Sequence, residues 1–196
     1  MKTIGITGGI GSGKSYVSHL LTQEFGIPVY DCDKEAKRLT AENVEIRQKL
    51  IALMGPEVFD GNKLNKPLLA DYLFADIEHA SAVNAIIHPV VLLDFAEWAR
   101  AKSQESIVAL ESAILYESGF NNAVDYVLFV DAPEDVRLRR AMLRDTATEA
   151  QIRTRMKMQQ PDIHRLQADF IIDNSTDDDT RLRVQLTVAL RQIVNK

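Results

Sequence analysis

The chain has 196 residues, 46% of them hydrophobic, and a formal net charge of −5 at pH 7. This length suits one α/β core with a small insertion, and the hydrophobic share is that of a globular protein. The negative charge argues against a general polyanion-binding surface, so we expect no nucleic-acid partner and only local affinity for phosphate. A single cysteine, Cys32, excludes an intramolecular disulfide and a cysteine-rich metal site.

Neither a secretory signal nor a membrane span is predicted. The N-terminal segment lacks the basic, apolar and small-residue regions of a signal peptide. The chain also lacks a continuous run of about 18 apolar residues, the length that crosses a bilayer. We therefore expect a soluble, cytoplasmic protein with no membrane partner, and we infer no obligate protein partner.

Short apolar segments that alternate with helical patterns predict an α/β fold. Strands buried on both faces are predicted at residues 2–7, 27–30, 107–110, 126–130 and 170–172. Alternation of this kind implies βαβ units with right-handed crossovers. The sequence therefore predicts a five-stranded parallel sheet with helices on both faces, a three-layer sandwich. A final helix, from about 178 to 194, is expected to pack on the sheet.

The segment that follows the first strand is the most informative in the chain. Residues 8–15 read Gly-Gly-Ile-Gly-Ser-Gly-Lys-Ser and fill the pattern GxxxxGK[ST], which marks a phosphate-binding P-loop when a strand precedes it and a helix follows. Glycines allow positive φ and close approach to phosphate, and the successive N–H groups form an anion nest at a helix N-terminus. Lys14 is predicted to reach the β- and γ-phosphates of a nucleotide, and the Ser15 hydroxyl to ligate Mg²⁺. The residues predicted to bind the nucleotide in this segment are Gly9, Ile10, Gly11, Ser12, Gly13, Lys14, Ser15 and Tyr16.

Two carboxylates, Asp31 and Asp33, follow the second strand, at the edge of an open α/β sheet where ligands bind. A carboxylate there could accept a proton from an acceptor hydroxyl or help to hold Mg²⁺. Residues two apart on an extended chain point in opposite directions, so we expect only one of the pair to face an acceptor. Either aspartate is also a candidate N-cap for the helix that follows.

Two helical segments exceed what such a sheet requires. The first has helices predicted at 44–54, 66–74 and 77–101, with breaks at Gly55-Pro56 and residues 60–62, and Pro89 is expected to kink or start a helix. The second, from 134 to about 166, is predicted to contain two helices. We interpret 32–102 as a helical substrate-binding domain and 136–166 as a lid. The nucleotide-binding core would then comprise residues 1–31, 103–135 and 167–196.

The lid segment is rich in arginine. Arg140 and Arg144 are four residues apart on one helix face, and guanidinium groups stabilise the charge that develops on a transferring phosphoryl group. We interpret Arg137 and Arg139 as part of a solvated basic face.

Three further residues allow two interpretations each. Glu111, after the third predicted strand, could reach Mg²⁺ through water or make a structural hydrogen bond. Asn174, after the last strand, could bind a base edge or serve as an ordinary turn residue. His88, beside Pro89, could contact substrate or be structural.

The order and spacing of these motifs resemble those of dephospho-CoA kinases nearly from end to end. The matching elements are residues 6–15, Asp31-Cys32-Asp33, His88-Pro89, Arg140 to Arg144-Asp145, Arg155 to Gln159, and Ala168-Asp169 through Asp173-Asn174. Three positions depart from the family pattern. Tyr16 stands where Thr is usual, and Arg137 stands where Gln is common. Glu111-Ser112-Ala113-Ile114-Leu115-Tyr116-Glu117 replaces the common form Asp-x-Pro-Leu-Leu-Phe-Glu.

The resemblance implies transfer of phosphate from ATP to the ribose 3′-hydroxyl of dephospho-CoA, a small-molecule substrate, to give CoA and ADP. Asp33 is then the first choice for the catalytic base, with Asp31 beside it. Lys14, Arg140 and Mg²⁺ would stabilise the transferring group. The residues that the resemblance assigns to the acceptor are Asp33, His88 and Arg140, and those that it adds to the nucleotide site are Arg144 and, near the adenine, Asn174.

Other functions stay open at this point. One is another kinase of the same fold that acts on a nucleoside, a nucleotide or a shikimate-like acceptor. A second is a regulatory GTP switch, but such a protein needs Asn-Lys-x-Asp, and Asn65-Lys66-Pro67-Leu68 lacks the aspartate. A third is a nucleotide-dependent assembly protein without acceptor chemistry.

Overall fold

The first strand occupies the middle of a five-stranded sheet in the computed structural model, which describes residues 1–157, 159, 161–176 and 178–195. In chain order the strands are β1 (Lys2–Thr7), β2 (Val29–Asp31), β3 (Phe59–Asp60), β4 (Lys63–Leu64), β5 (Ile107–Glu111), β6 (Tyr126–Asp131) and β7 (Phe170–Asp173). The helices are α1 (Lys14–Phe25), α2 (Cys32–Glu42), α3 (Val44–Met54), α4 (Lys66–Leu73), α5 (Ile77–Ala101), α6 (Glu134–Arg144), α7 (Glu149–Lys157), α8 (Pro161–Gln167) and α9 (Asp179–Val194).

The strand order along the sheet is β2-β5-β1-β6-β7. β1 pairs in parallel with β5 and β6, and β6 pairs in parallel with β7. The predicted α/β fold with a five-stranded parallel sheet is confirmed. The carboxyl ends of the strands therefore meet at one edge, which carries the loop after β1, Glu111 at the end of β5 and Asn174 just after β7.

Contacts between residues divide the chain into two units. One unit comprises Met1–Tyr30 and Lys102–Lys196, and the other comprises Asp31–Ala101. We call them the nucleotide unit and the helical unit. The separation of a lid from a core within the nucleotide unit stays a prediction, as do the roles assigned to each part.

The nucleotide unit has a continuous core on one face of its sheet. Buried side chains of α1 and α9 pack against those of the strands, because both helices present an apolar stripe at helical spacing. The core residues are Ile4, Ile6, Val17, Leu20, Leu21, Ile27, Ile107, Ala109, Leu128, Val130, Ile172, Leu182, Leu186, Ala189, Leu190 and Ile193. This packing fixes the start of α1, where the phosphate loop ends.

The segment predicted as two lid helices contains three, α6, α7 and α8. Leu138 and Ala141 of α6 pack on Ile152 and Met156 of α7, and the side chain of Ile10 from the loop after β1 packs against this cluster. The loop is therefore attached to the lid helices by apolar contact.

The helical unit is built around α5, which packs against α2, α3 and α4. Its buried residues include Val83, Ile87, Val91 and Phe95. Pro89 was expected to kink or start a helix. It does not start one, because α5 runs from Ile77 to Ala101 with the proline inside it. The break predicted at 60–62 is the turn of a short antiparallel hairpin, β3–β4.

Among the described residues, α5 is long and apolar enough to cross a membrane by length and composition alone, with a mean hydropathy of 1.3 over 18 residues. No membrane span was predicted here, because polar residues interrupt the apolar run. In this structure α5 packs against α2, α3 and α4 of the same unit, and 22% of that apolar window is buried. The absence of a membrane partner stays a prediction.

Replacing Leu186 with Ala tests the α9 contact with the sheet. Leu186 is fully buried in the core, so we expect its loss to reduce the free energy of unfolding by about 2–5 kcal/mol, measured by urea denaturation. Val188 on the same helix is 50% exposed, so Val188→Ala is the control, with an expected change below about 1 kcal/mol. Equal losses in the two variants would contradict this account of the core.

Candidate active site

The turn from β1 into α1 leaves no room for side chains at two glycines. Gly11 has φ +76° and Gly13 has φ +96°, a left-handed region that side chains rarely adopt. A Cβ on Gly11 would lie less than 3.0 Å from the backbone carbonyl oxygen of Arg137, and one on Gly13 less than 3.0 Å from the side-chain amide of Asn174. The loop therefore takes its shape from close contact with the residues outside it.

Lys14 folds back over this loop. Its Nζ donates hydrogen bonds to the carbonyl oxygens of Gly8 at 2.8 Å and Gly9 at 3.2 Å. The ammonium charge is thus held at the loop, next to the N-terminus of α1, where both the charge and the helix dipole favour an anion.

The two residues that the sequence nominated for Mg²⁺ are in contact. The Ser15 hydroxyl donates a hydrogen bond of 2.8 Å to Oε1 of Glu111, which ends β5. A hydroxyl and a carboxylate are the hard oxygen ligands that Mg²⁺ prefers, and such a site usually keeps several waters. Among the described residues no cluster of three or more His, Cys, Asp or Glu side chains could hold a metal by itself. A magnesium ion here would therefore need phosphate oxygens and water as well.

Three side chains from outside the loop hold its outer surface. Nδ2 of Asn174 donates to the carbonyl oxygen of Ser12 at 2.7 Å, and the backbone N–H of Ile10 donates to Oε1 of Gln159 at 2.8 Å. The guanidinium of Arg137 packs on Gly9 while its Nε donates to the carbonyl of Ala132, at 3.0 Å.

The interpretation of Arg137 as part of a solvated face is wrong. Its Nη1 atom is buried against the loop and has no hydrogen-bond partner among the described residues. Arg139, by contrast, is exposed as expected. Sequence spacing alone could not separate the two, because both lie on a helix whose contact with the loop is a tertiary feature.

The two lid arginines that the sequence singled out have different partners. Nη1 of Arg140 donates to the carbonyl of Asn174 at 2.7 Å. Arg144 binds the carboxylate of Asp145, with Nε donating to Oδ1 at 2.9 Å. This hydrogen bond raises the pKa of Arg144 and lowers that of Asp145, so the pair is ionised at neutral pH. The pair lies at the surface, and exposed pairs are easily broken.

A small pocket of about 270 Å³ opens beside the loop. It is lined by Gly13, Tyr16, Arg140, Asn174, Thr176 and Asp179. The Tyr16 hydroxyl donates a hydrogen bond to the Asp179 carboxylate, and this bond raises the pKa of the tyrosine. The pocket therefore has a neutral aromatic side chain in one wall and a guanidinium in another.

The paired aspartates belong to the start of the helical unit. Asp31 ends β2 and is the N-cap of α2, with its Oδ1 accepting from the backbone N–H of Lys34 at 3.0 Å. Asp33 is exposed in the first turn of α2. The expectation that the two lie on one extended segment is wrong, because α2 already begins at Cys32. Asp31 is thus engaged in capping.

His88 lies half-buried on α5 in the same unit. Burial lowers its pKa below the ordinary value of 6.5, so the imidazole is neutral at pH 7. A neutral imidazole can both donate and accept a hydrogen bond, which suits contact with a polar substrate as well as a structural role.

Comparison with known proteins identifies this arrangement. Residues 2–179 match the family model CoaE, described as dephospho-CoA kinase. The chain belongs to the dephospho-CoA kinase family. A dephospho-CoA kinase of Bacteroides fragilis is 51% identical over 87% of this chain and 83% of its own. That of Geobacillus kaustophilus is 36% identical over 97% of this chain and 96% of its own.

Solved structures agree with the fold. A crystal structure of a Thermus thermophilus protein superposes with a TM-score of 0.82 and 33% identity over 97% of both chains. The dephospho-CoA kinase of Campylobacter jejuni, 22% identical, gives a TM-score of 0.68 over 98% of this chain and 97% of its own, and supports the fold alone. Membership in the dephospho-CoA kinase family makes the chain an ATP-dependent kinase with a hydroxyl acceptor, and it rules out the GTP switch and the assembly protein.

Replacing Gly11 with Ala tests the close packing of the loop. We expect the Kd for ATP to rise by at least about tenfold, because the new Cβ would need both a left-handed φ and the space that the Arg137 carbonyl fills. Gly61 also has positive φ but has nothing within 4 Å of its Cβ position, so Gly61→Ala is the control, with little change expected. Calorimetric titration with ATP measures both, and unchanged affinity in Gly11→Ala would contradict the packing argument.

Proposed function

We propose that this chain transfers the γ-phosphoryl group of ATP to the ribose 3′-hydroxyl of dephospho-CoA, giving CoA and ADP as the last step of coenzyme A synthesis. The observation that carries the proposal is the loop geometry, with Lys14 folded over its carbonyls and Ser15 bound to Glu111, in a chain that matches dephospho-CoA kinases over residues 2–179. A nucleoside or nucleotide acceptor is the alternative that the experiment below separates from it.

Binding of the triphosphate rests on the loop and Lys14. The backbone N–H groups at the start of α1 and the Lys14 ammonium present positive charge to the β- and γ-phosphates. Lys14 would exchange the carbonyls of Gly8 and Gly9 for phosphate oxygens, which are stronger acceptors because they are charged. The pocket between Tyr16 and Arg140 is our candidate for the adenine, because it adjoins Gly13 of the loop.

A magnesium ion fits the contact between Ser15 and Glu111. The two oxygens are 2.8 Å apart, so the hydroxyl could bind the ion directly and the carboxylate through water. When bound, the ion would neutralise charge on the β- and γ-phosphate oxygens.

The chemical step needs one proton transfer and one displacement. The acceptor oxygen forms a bond to the γ-phosphorus, the bond to the β,γ-bridging oxygen breaks, and ADP leaves with that electron pair. We assign the acceptor's proton to the Asp33 carboxylate, because both aspartates are exposed but Asp31 is engaged in capping α2. Arg140 and Arg144 would stabilise the charge on the transferring group, and His88 would contact the acceptor.

ADP release from Mg-ATP, with and without dephospho-CoA, tests the proposed reaction. We expect ADP formation to depend on dephospho-CoA and the product to carry one added phosphate by mass spectrometry. A Lys14→Ala variant should lose useful activity in the same assay, because the positive charge that binds the phosphates is removed. Phosphorylation of a nucleoside or nucleotide, with none of dephospho-CoA, would refute the proposed acceptor.

Carboxamide variants of the two aspartates identify the base. Asp33→Asn should lower kcat by about 100-fold or more while the Kd for ATP stays nearly unchanged, as expected when a general base is lost. Asp31→Asn is the matched control, because asparagine also caps helices well and should preserve both α2 and the rate. A large loss in Asp31→Asn with a normal rate in Asp33→Asn would transfer the role to Asp31.

A further inference from the structure

Asn174 connects three parts of the nucleotide unit. It directly follows β7 and is only 8% exposed. Its Nδ2 donates to the Ser12 carbonyl at 2.7 Å, and its own carbonyl accepts from Nη1 of Arg140, at 2.7 Å. Its backbone N–H donates to the carbonyl of Asp131 at the end of β6, at 2.8 Å. The side chain is thus fixed at its base by β6 and α6, and its amide group is directed at the phosphate loop.

The hydrogen bond to Ser12 has a geometric consequence for the next residue. A peptide unit is planar and trans, so the carbonyl of Ser12 and the N–H of Gly13 belong to one rigid group and point in opposite directions. Because the Ser12 carbonyl is directed at Asn174, the N–H of Gly13 is directed away from Asn174, as a nest that binds phosphate requires. The amide of Asn174 also fills the space that a Cβ on Gly13 would need.

We propose that Asn174 is a positioning residue for the phosphates of the nucleotide, acting through the Ser12–Gly13 peptide. It does not act by recognising the edge of the base, one of the two roles that the sequence left open. This inference rests on the proposed function only in taking a nucleoside triphosphate as the ligand. The hydrogen bond from Arg140 to the Asn174 carbonyl connects the turn after β7 to α6.

Tripolyphosphate distinguishes phosphate positioning from base recognition, because it carries the phosphates of ATP without a base. In Asn174→Ala we expect the calorimetric Kd for tripolyphosphate and for ATP to rise together, by about tenfold, the cost of a lost buried hydrogen bond. The ratio of the Kd values for ATP and GTP should stay as in the wild type. An unchanged Kd for tripolyphosphate, or a shift in the ATP-to-GTP ratio, would overturn the inference.

Gln185→Ala is the matched control for loss of the turn itself. Gln185 of α9 accepts from the N–H of Asp173 at 2.8 Å and donates to its carbonyl at 2.9 Å, so it supports the end of β7. We expect this variant to melt at a lower temperature and to bind tripolyphosphate like the wild type. An increase in Kd equal to that of Asn174→Ala would assign the effect to general stability and overturn the inference.

Asn174→Asp keeps the volume of the side chain and serves where the alanine variant does not fold. A carboxylate cannot donate to the Ser12 carbonyl and repels both that oxygen and phosphate, so the loss in tripolyphosphate affinity should be at least as large as in Asn174→Ala. Wild-type affinity in Asn174→Asp would overturn the inference. Nucleotide binding without CoA formation by the wild type would instead refute only the proposed acceptor, and a wild type that binds neither ATP nor tripolyphosphate would refute both.

Discussion

The peptide units between β1 and α1 can turn their N–H groups toward a phosphate only if their carbonyls find partners on the other side. A buried carbonyl without a hydrogen bond costs about 1–3 kcal/mol, so the outer surface of the loop must be supplied with donors. Asn174 supplies one to Ser12. Lys14 also donates to Gly8 and Gly9, but these are the bonds that the proposed phosphate contacts would replace. Only glycine fits at Gly13, which lies against the Asn174 amide, and at Gly11, which lies against the backbone of Arg137.

The segment between β6 and β7 also contacts the loop. The backbone of α6 at Arg137 lies against Gly11, and Gln159 accepts from the N–H of Ile10. The apolar side chain of Ile10 joins the cluster between α6 and α7. The loop is therefore supported by α6, which carries the arginines proposed for the phosphoryl group, by α7 and by Gln159.

Local patterns predicted the elements well, and tertiary contacts account for most of what they missed. The five strands and the helix at 44–54 follow from hydrophobic periodicity, and the phosphate loop from its glycines, Lys14 and Ser15. The hairpin β3–β4 was missed because each strand has only two residues, too few to show a period. The helix predicted at 77–101 is present with Pro89 inside it, and its packing on three helices outweighs the local cost of proline.

Within the site, the sequence predicted residue types better than their partners. Ser15 and Glu111 were both nominated for a metal, but only the register of β1 against β5, which aligns Ile6 with Glu111, brings that carboxylate to the loop. Arg137 and Arg139 are two positions apart and so lie on opposite sides of α6, but which side meets the loop is a tertiary feature. The partner of Asn174 lies 162 positions away in the chain, a distance that no local pattern spans.

The division of the chain into two units also determines the order in which contacts can form during synthesis on the ribosome. The helical unit is one continuous stretch, so all its internal partners have been made once Ala101 emerges. β1 and the loop are made first, yet the neighbours of β1 in the sheet, β5 and β6, come after that stretch, and Asn174 comes later still. A nascent chain that ends near Ala101 therefore holds the phosphate-binding sequence without Arg137 and Asn174, which contact the loop from outside. Nucleotide binding must then be acquired late, after translation has passed β7.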